Sequence, residues 1–210
     1  MAISWKDAPL VEKFFIVYFA ITFIGGIIAL IALSPKEFGQ VVQGRTIDYD
    51  EKNMIVTVVL DARQDAKNPD YSILPPVKFK LPEKDYMRGP IPKAGKRIKL
   101  DLDKKEVVIF DDATQNFLHI PIEIVEKKTG IRKDDPLVKD KKFPIIDKEK
   151  STVTTYSARL QTYIIFRVPQ EHIDRPPITW EAGDEVRIYY REPGKAHKFM
   201  NVSKTDIYKK

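Results

Sequence analysis

The side chains able to do chemistry are few and scattered. His119, His172 and His197 form no His-x-x-x-His or His-Glu-x-x-His pair, so no local metal site is written in them. Met54, Met87, Met200 and Trp180 are residue types that bind copper in small barrels. They stand far apart, and core packing or turn coverage is their expected role. The chain has no cysteine, which excludes disulfides, thiolate zinc sites, iron–sulfur clusters and a thiol nucleophile. Asp111-Asp112 and Asp134-Asp135 stand in polar stretches, where carboxylates form turns. No carboxylate lies in an apolar run that would raise its pKa. Ser157 and Ser203 have no local base, and no phosphate loop, nucleophile elbow or Ser-x-x-Lys motif occurs. The chain is expected to be no enzyme and to need no metal or cofactor.

One cluster of binding character remains. Tyr189, Tyr190 and Phe199 are accompanied by Arg187, Arg191 and Lys198. On a strand Tyr189 and Tyr190 face opposite sides, so one is expected in the core and the other outside. Cations beside aromatics also describe a nucleic-acid groove. A net charge of +6, with acids and bases closely mixed, is too weak for that, and an exposed aromatic here is expected to contact protein.

The elements that carry these residues fall into two kinds. Phe14 to Leu33 is twenty residues without a charge, long enough as a helix to cross roughly 30 Å of hydrocarbon. A cleavable signal has a shorter apolar region, and Pro35 follows the Ala32-Leu33-Ser34 candidate cut. A buried core helix would carry charge on some face. A permanent signal anchor over residues 14–34, after a tail of residues 1–13, fits best. A short tail before a long domain favours tail inside and domain outside. Thr22, Gly25, Gly26, Ala29 and Ala32 recur at helical spacing, a small-residue face suited to packing on another membrane helix. Pro35 to Phe38 is a short link, so the domain starts close to the membrane.

The remainder is polar, turn-rich and strand-like. Strands are predicted over Val41–Ile47, Ile55–Leu60, Val77–Leu81, Ile98–Leu102, Val107–Phe110, Phe117–Ile120 and Ile122–Val125, with turns at DYDEKN, DKK and DATQN. The chain then repeats itself. Ile47-Asp48 with Val56-Thr57 matches Ile146-Asp147 with Val153-Thr154. Val77 to Pro82 matches Ile164 to Pro169, and Ala94 to Leu100 matches Ala182 to Ile188. Phe117 to Ile120 matches Phe199 to Val202, and Ile124 to Lys127 matches Ile207 to Lys210. The glycine of each Ala-Gly pair is expected to supply positive φ before a strand. Short strands without a covering helix favour small closed barrels. The predicted fold is therefore mainly β. One transmembrane helix precedes two tandem OB-like barrels, at 39–127 and 143–210, joined by a charged connector at 128–142.

DYSILPPVKFKLP, VVIFDDATQNF and WEAGDEVRIYYREPGKAHKFMNVSKTDIYKK resemble an uncharacterised family of sulfate-reducing deltaproteobacteria, many of whose members look like lipoproteins. The resemblance covers Gly39 to Lys210 and implies a periplasmic domain on the bacterial inner membrane, but no activity. This chain lacks the lipobox cysteine and has the apolar helix instead.

The function expected from all this is a non-catalytic, single-pass accessory subunit. Its partners are the lipid bilayer and the subunits of a membrane complex, for which the resemblance suggests respiration. Neither nucleic acid nor a small-molecule substrate is expected. The alternative is a membrane-tethered periplasmic module that binds a small ligand or a metal.

Overall fold

The computed structural model describes residues 39–65 and 69–205. The apolar run Phe14–Leu33, with Thr22, Gly25, Gly26, Ala29 and Ala32, lies outside the described residues, as does Ile207 to Lys210. Among the described residues no helix is long and apolar enough to cross a membrane.

The fold is mainly β. Thirteen strands are described: β1 (Gln40–Asp50), β2 (Ile55–Leu60), β3 (Ile73–Lys80), β4 (Met87–Arg88), β5 (Arg97–Asp101), β6 (Glu106–Asp111), β7 (Asn116–Pro121), β8 (Glu123–Thr129), β9 (Ile145–Asp147), β10 (Thr152–Ser157), β11 (Thr162–Arg167), β12 (Glu185–Glu192) and β13 (Lys195–Asn201). The one α-helix among the described residues, α1 (Gln170–Ile173), is a single turn.

Five hairpin turns share one chemistry. An Asp or Ser ends the incoming strand, its side-chain oxygen accepts the N–H three residues on, and the fourth residue on has positive φ. The acceptors are Asp50, Asp101, Asp111, Asp147 and Ser157, and the donors are Asn53, Lys104, Thr114, Lys150 and Leu160. The positive-φ residues are Met54, Lys105, Gln115, Ser151 and Gln161. A short polar side chain satisfies the turn's orphan donor, and the left-handed residue returns the chain into the second strand.

Strand pairing does not follow the tandem division expected from sequence. One sheet runs β12-β1-β2-β3-β13-β4, and β12 also pairs with β13, so five strands form a closed ring. β3 and β13 are parallel, whereas β1–β2, β2–β3 and β12–β13 are antiparallel. The ring thus takes its meander from residues 40–80 and its hairpin from residues 185–201. Its core is Val56, Val58, Phe79, Leu81, Val186, Ile188, Ala196 and Phe199. The second meander, β9-β10-β11, is extended by β8. It faces the sheet β5-β6-β7 through a core of Val107, Ile109, Ile120, Val153, Phe166 and Trp180. Each meander is completed by strands from the other half, so 39–127 and 143–210 are not separate barrels. The expected connector is also integrated: Val138 is buried, and Ile131 bonds to Gln161 and Tyr156.

β6 joins the halves. Val107, Val108, Ile109 and Phe110 are all buried, and alternate residues face opposite sides. Val107 and Ile109 enter the second core, while Val108 and Phe110 pack with Ile47, Val59, Tyr71 and Ile98 against the outside of the ring.

The two Ala-Gly segments are where the halves cross. Neither Gly95 nor Gly183 has positive φ, so the expected turn role is replaced by another. A Cβ on Gly183 would stand 1.8 Å from the Thr46 carbonyl oxygen, and one on Gly95 would stand 2.6 Å from the Gly183 nitrogen. Only glycine permits that approach of three backbones. Lys96 and Arg97 bridge to Ala182, and Thr46 N–H donates to the Asp184 carbonyl at 3.0 Å. One matched pair from the repeat is also corrected. Phe117–Ile120 lies in β7, the third strand of its sheet, whereas Phe199 lies in β13, the second strand of a hairpin. The strand that pairs with β5 as β13 pairs with β12 is β6, because the first half carries an extra strand before β8.

Candidate functional site

The residues considered for metal chemistry stay apart. His119 pairs with Glu106 at 3.1 Å on an exposed edge. His172 lies in α1, and Trp180 is fully buried in the second core. Met54 Sδ accepts the Tyr49 hydroxyl at 3.0 Å. Met87 packs against the ring core. Among the described residues no group of three or more His, Asp and Glu could hold a metal ion. The acidic pairs make turns and ion pairs. Asp111 receives Thr114 and Arg175, Asp112 receives Lys96 at 2.6 Å, Asp134 meets Arg132, and Asp135 accepts Leu137 N–H. Ser203 Oγ accepts the Glu185 N–H at 2.8 Å, which fixes the start of β12.

The aromatic and cationic residues singled out on β12 and β13 converge in part. Arg187, Tyr189, Lys198 and Phe199 line a groove of about 430 Å³; Tyr190 and Arg191 do not. Arg187 and Tyr189 come from β12, Lys198 to Met200 from β13, Val41 from β1, and Asp85, Tyr86 and Arg88 from the crossing segment before and within β4. Alternation sorts the two tyrosines. Tyr190 turns inward, with its ring 5.2 Å from that of Phe79, while Tyr189 faces the groove. Tyr86 stacks on His197 at 5.9 Å between centroids, and Tyr189 meets the same imidazole edge-on at 5.6 Å. Tyr86 is 50% exposed and Val41 46%, large apolar surfaces for a rim. Arg187 is held in place by donating Nε and Nη2 to Gln43 Oε1, at 3.3 and 2.8 Å. Arg191 donates to the Tyr189 hydroxyl at 3.0 Å, and that hydrogen bond raises the pKa of its guanidinium. Arg88, Arg187 and Lys198 line the groove with one carboxylate, Asp85. Such a surface suits an acidic segment bearing apolar side chains.

Beneath the ring lies a buried polar cluster that sequence reasoning missed. The Arg45 guanidinium sits 4.8 Å from the Tyr71 ring centroid, donates to the Ile98 carbonyl at 2.6 Å and stands 3.9 Å from Glu185. The Tyr71 hydroxyl donates to the same carboxylate, which is 7% exposed as a residue. Burial raises the Glu185 pKa, with Tyr71 and Arg45 opposing it, and burial likewise raises that of Tyr71. Tyr71 and Glu185 are 114 residues apart, so no local motif joins them.

Searches of curated proteins and of solved structures returned no match. A family model does match residues 37–210, more than four-fifths of the chain. The chain belongs to the family described as domain of unknown function DUF4881.

Proposed function

We propose that the protein is a non-catalytic, single-pass accessory subunit of a bacterial inner-membrane complex. In this reading Phe14–Leu33 is the anchor and the β domain is periplasmic, with Thr22, Gly25, Gly26, Ala29 and Ala32 packing on a neighbouring membrane helix. The ring of five strands is a small OB-like barrel, a reading supported by its closure and its single parallel pair, β3–β13. The groove on β12 and β13 docks an acidic, partly apolar segment of a partner subunit.

The observation that carries this is the groove's lining. Three cations and one acid surround Tyr86 and Tyr189, and Arg187 is already braced by Gln43. A braced cation loses little side-chain entropy on docking. Val41, at the groove's rim, follows the short link Pro35–Phe38 by three residues.

Photo-crosslinking in native membranes tests the reading. A crosslinker at Tyr86 is expected to give one discrete adduct with a membrane subunit, and Arg88→Glu with Lys198→Glu should abolish it. Leu160, 64% exposed on a hairpin turn outside the groove, serves as the control position. Equal adducts from both positions, or an adduct indifferent to charge reversal, would sink the proposal.

A further inference from the structure

We propose that Arg97 forms, apart from the groove, a binding site for a small oxyanion, the size of one carboxylate, sulfate or phosphate group. Arg97 begins β5, at the crossing of the Ala-Gly segments. Its side chain makes no hydrogen bond or ion pair among the described residues, and its Nε is buried without a partner. It lines a cavity of about 110 Å³ with Lys93, Glu181, Thr155, Tyr156 and Phe143. The one carboxylate in that wall, Glu181, is already paired with Lys93. The Tyr156 hydroxyl is committed to the Ile131 carbonyl. Burial and the like charge of Arg45 both disfavour the guanidinium and lower its pKa to about 10, so it stays charged at neutral pH.

A half-buried guanidinium whose Nε is shut from solvent without a partner is costly, and a guanidinium fork matches an oxyanion with two parallel N–H donors. At roughly 30 Å³ per water, the cavity has the volume of three or four waters, which fits a single oxyanion group and excludes a nucleotide. Thr155, on β10 and 5% exposed, adds a hydroxyl to the wall. Phe143 supplies an apolar side, where water competes less for the ion pair.

Scanning calorimetry of the full-length chain in detergent tests this. Sodium sulfate, phosphate and acetate would each be compared with sodium chloride at constant ionic strength. At least one oxyanion is expected to raise the melting temperature saturably, since a ligand of the native state alone stabilises it. Arg97→Met should lose that response while melting no lower than the wild type in chloride. Arg97→Lys, which keeps the charge without the fork, and Thr155→Val should weaken binding about tenfold or more, and both cover a failure of Arg97→Met to fold. A capped tetrapeptide with one aspartate distinguishes the sources. If it displaces sulfate, the group belongs to a larger molecule; if only inorganic ions bind, the ligand is free. Equal responses in wild type and Arg97 variants, or none beyond chloride, would overturn the assignment.

Discussion

The two meanders, β1-β2-β3 and β9-β10-β11, start from matching residues and end in different surroundings. The first is closed into a ring by the hairpin β12–β13, which the second half supplies. The second gains β8 as a neighbour and faces β5-β6-β7, which the first half supplies. The ring leaves a groove on its borrowed hairpin; the second assembly buries Trp180 at its centre. The same meander plan therefore bounds the ring core, with a groove on the borrowed hairpin, in one half and the core around Trp180 in the other, according to which strands complete it.

Of all single substitutions considered, loss of the Trp180 indole is expected to cost most. Trp180→Ala is expected to cost about 3–5 kcal/mol in denaturant unfolding, because a fully buried indole leaves a cavity that neighbours fill only partly. Gly183→Ala comes next, at about 1–3 kcal/mol, from overpacking against the Thr46 carbonyl. That substitution strikes the crossing rather than either core, so it should loosen both halves in hydrogen exchange.

Glu185, in the cluster beneath the ring, and Asp101, in a hairpin turn, are expected to show opposite pH dependence. Glu185 has a raised pKa when folded, so the native state keeps a proton that the unfolded chain, near 4.5, releases. Its contribution is most favourable at low pH and declines as pH rises through the raised value. Asp101, in the β5–β6 turn, is held down to about 2, first by the Lys104 N–H and then by Lys99. Its stabilisation is present above about 3.8 and is lost as pH falls toward 2. Stability–pH curves of Glu185→Gln and Asp101→Asn, set against wild type, should differ in opposite directions. The smallest effect is expected at Lys105. Lys105→Gly should stabilise by about 0.5 kcal/mol, since φ is 53° there and glycine adopts it without a Cβ clash.

Much of the strand plan was legible because alternation and hairpin turns are local. Val56 and Val58, Val107 and Ile109, and the aspartates before four of the five turns all announce their places within a few residues. That Tyr189 and Tyr190 face opposite sides was legible for the same reason; which of them is the inner one depends on Phe79, more than a hundred residues away. What could not be read locally was which hairpin joins which meander. β5–β6 and β12–β13 carry similar alternating patterns, and the choice is made where Gly95, Gly183 and Thr46 meet across the chain. Gly95 and Gly183 looked like turn glycines because a close backbone approach leaves no distinct mark in sequence. Tyr71 and Glu185 beside Arg45, and the wall around Arg97, come from segments distant in sequence, which local alternation does not reveal.

Hydrogen–deuterium exchange of Phe199→Ala tests the exchanged hairpins most directly. Phe199 is 2% exposed in β13 and packs with Val56, Val58 and Phe79. If the hairpins are exchanged, the substitution should speed exchange in β1 to β3, more than a hundred residues away in sequence, while β9 to β11 stay protected. Faster exchange in β9 to β11, with β1 to β3 unchanged, would contradict the account and restore two tandem barrels.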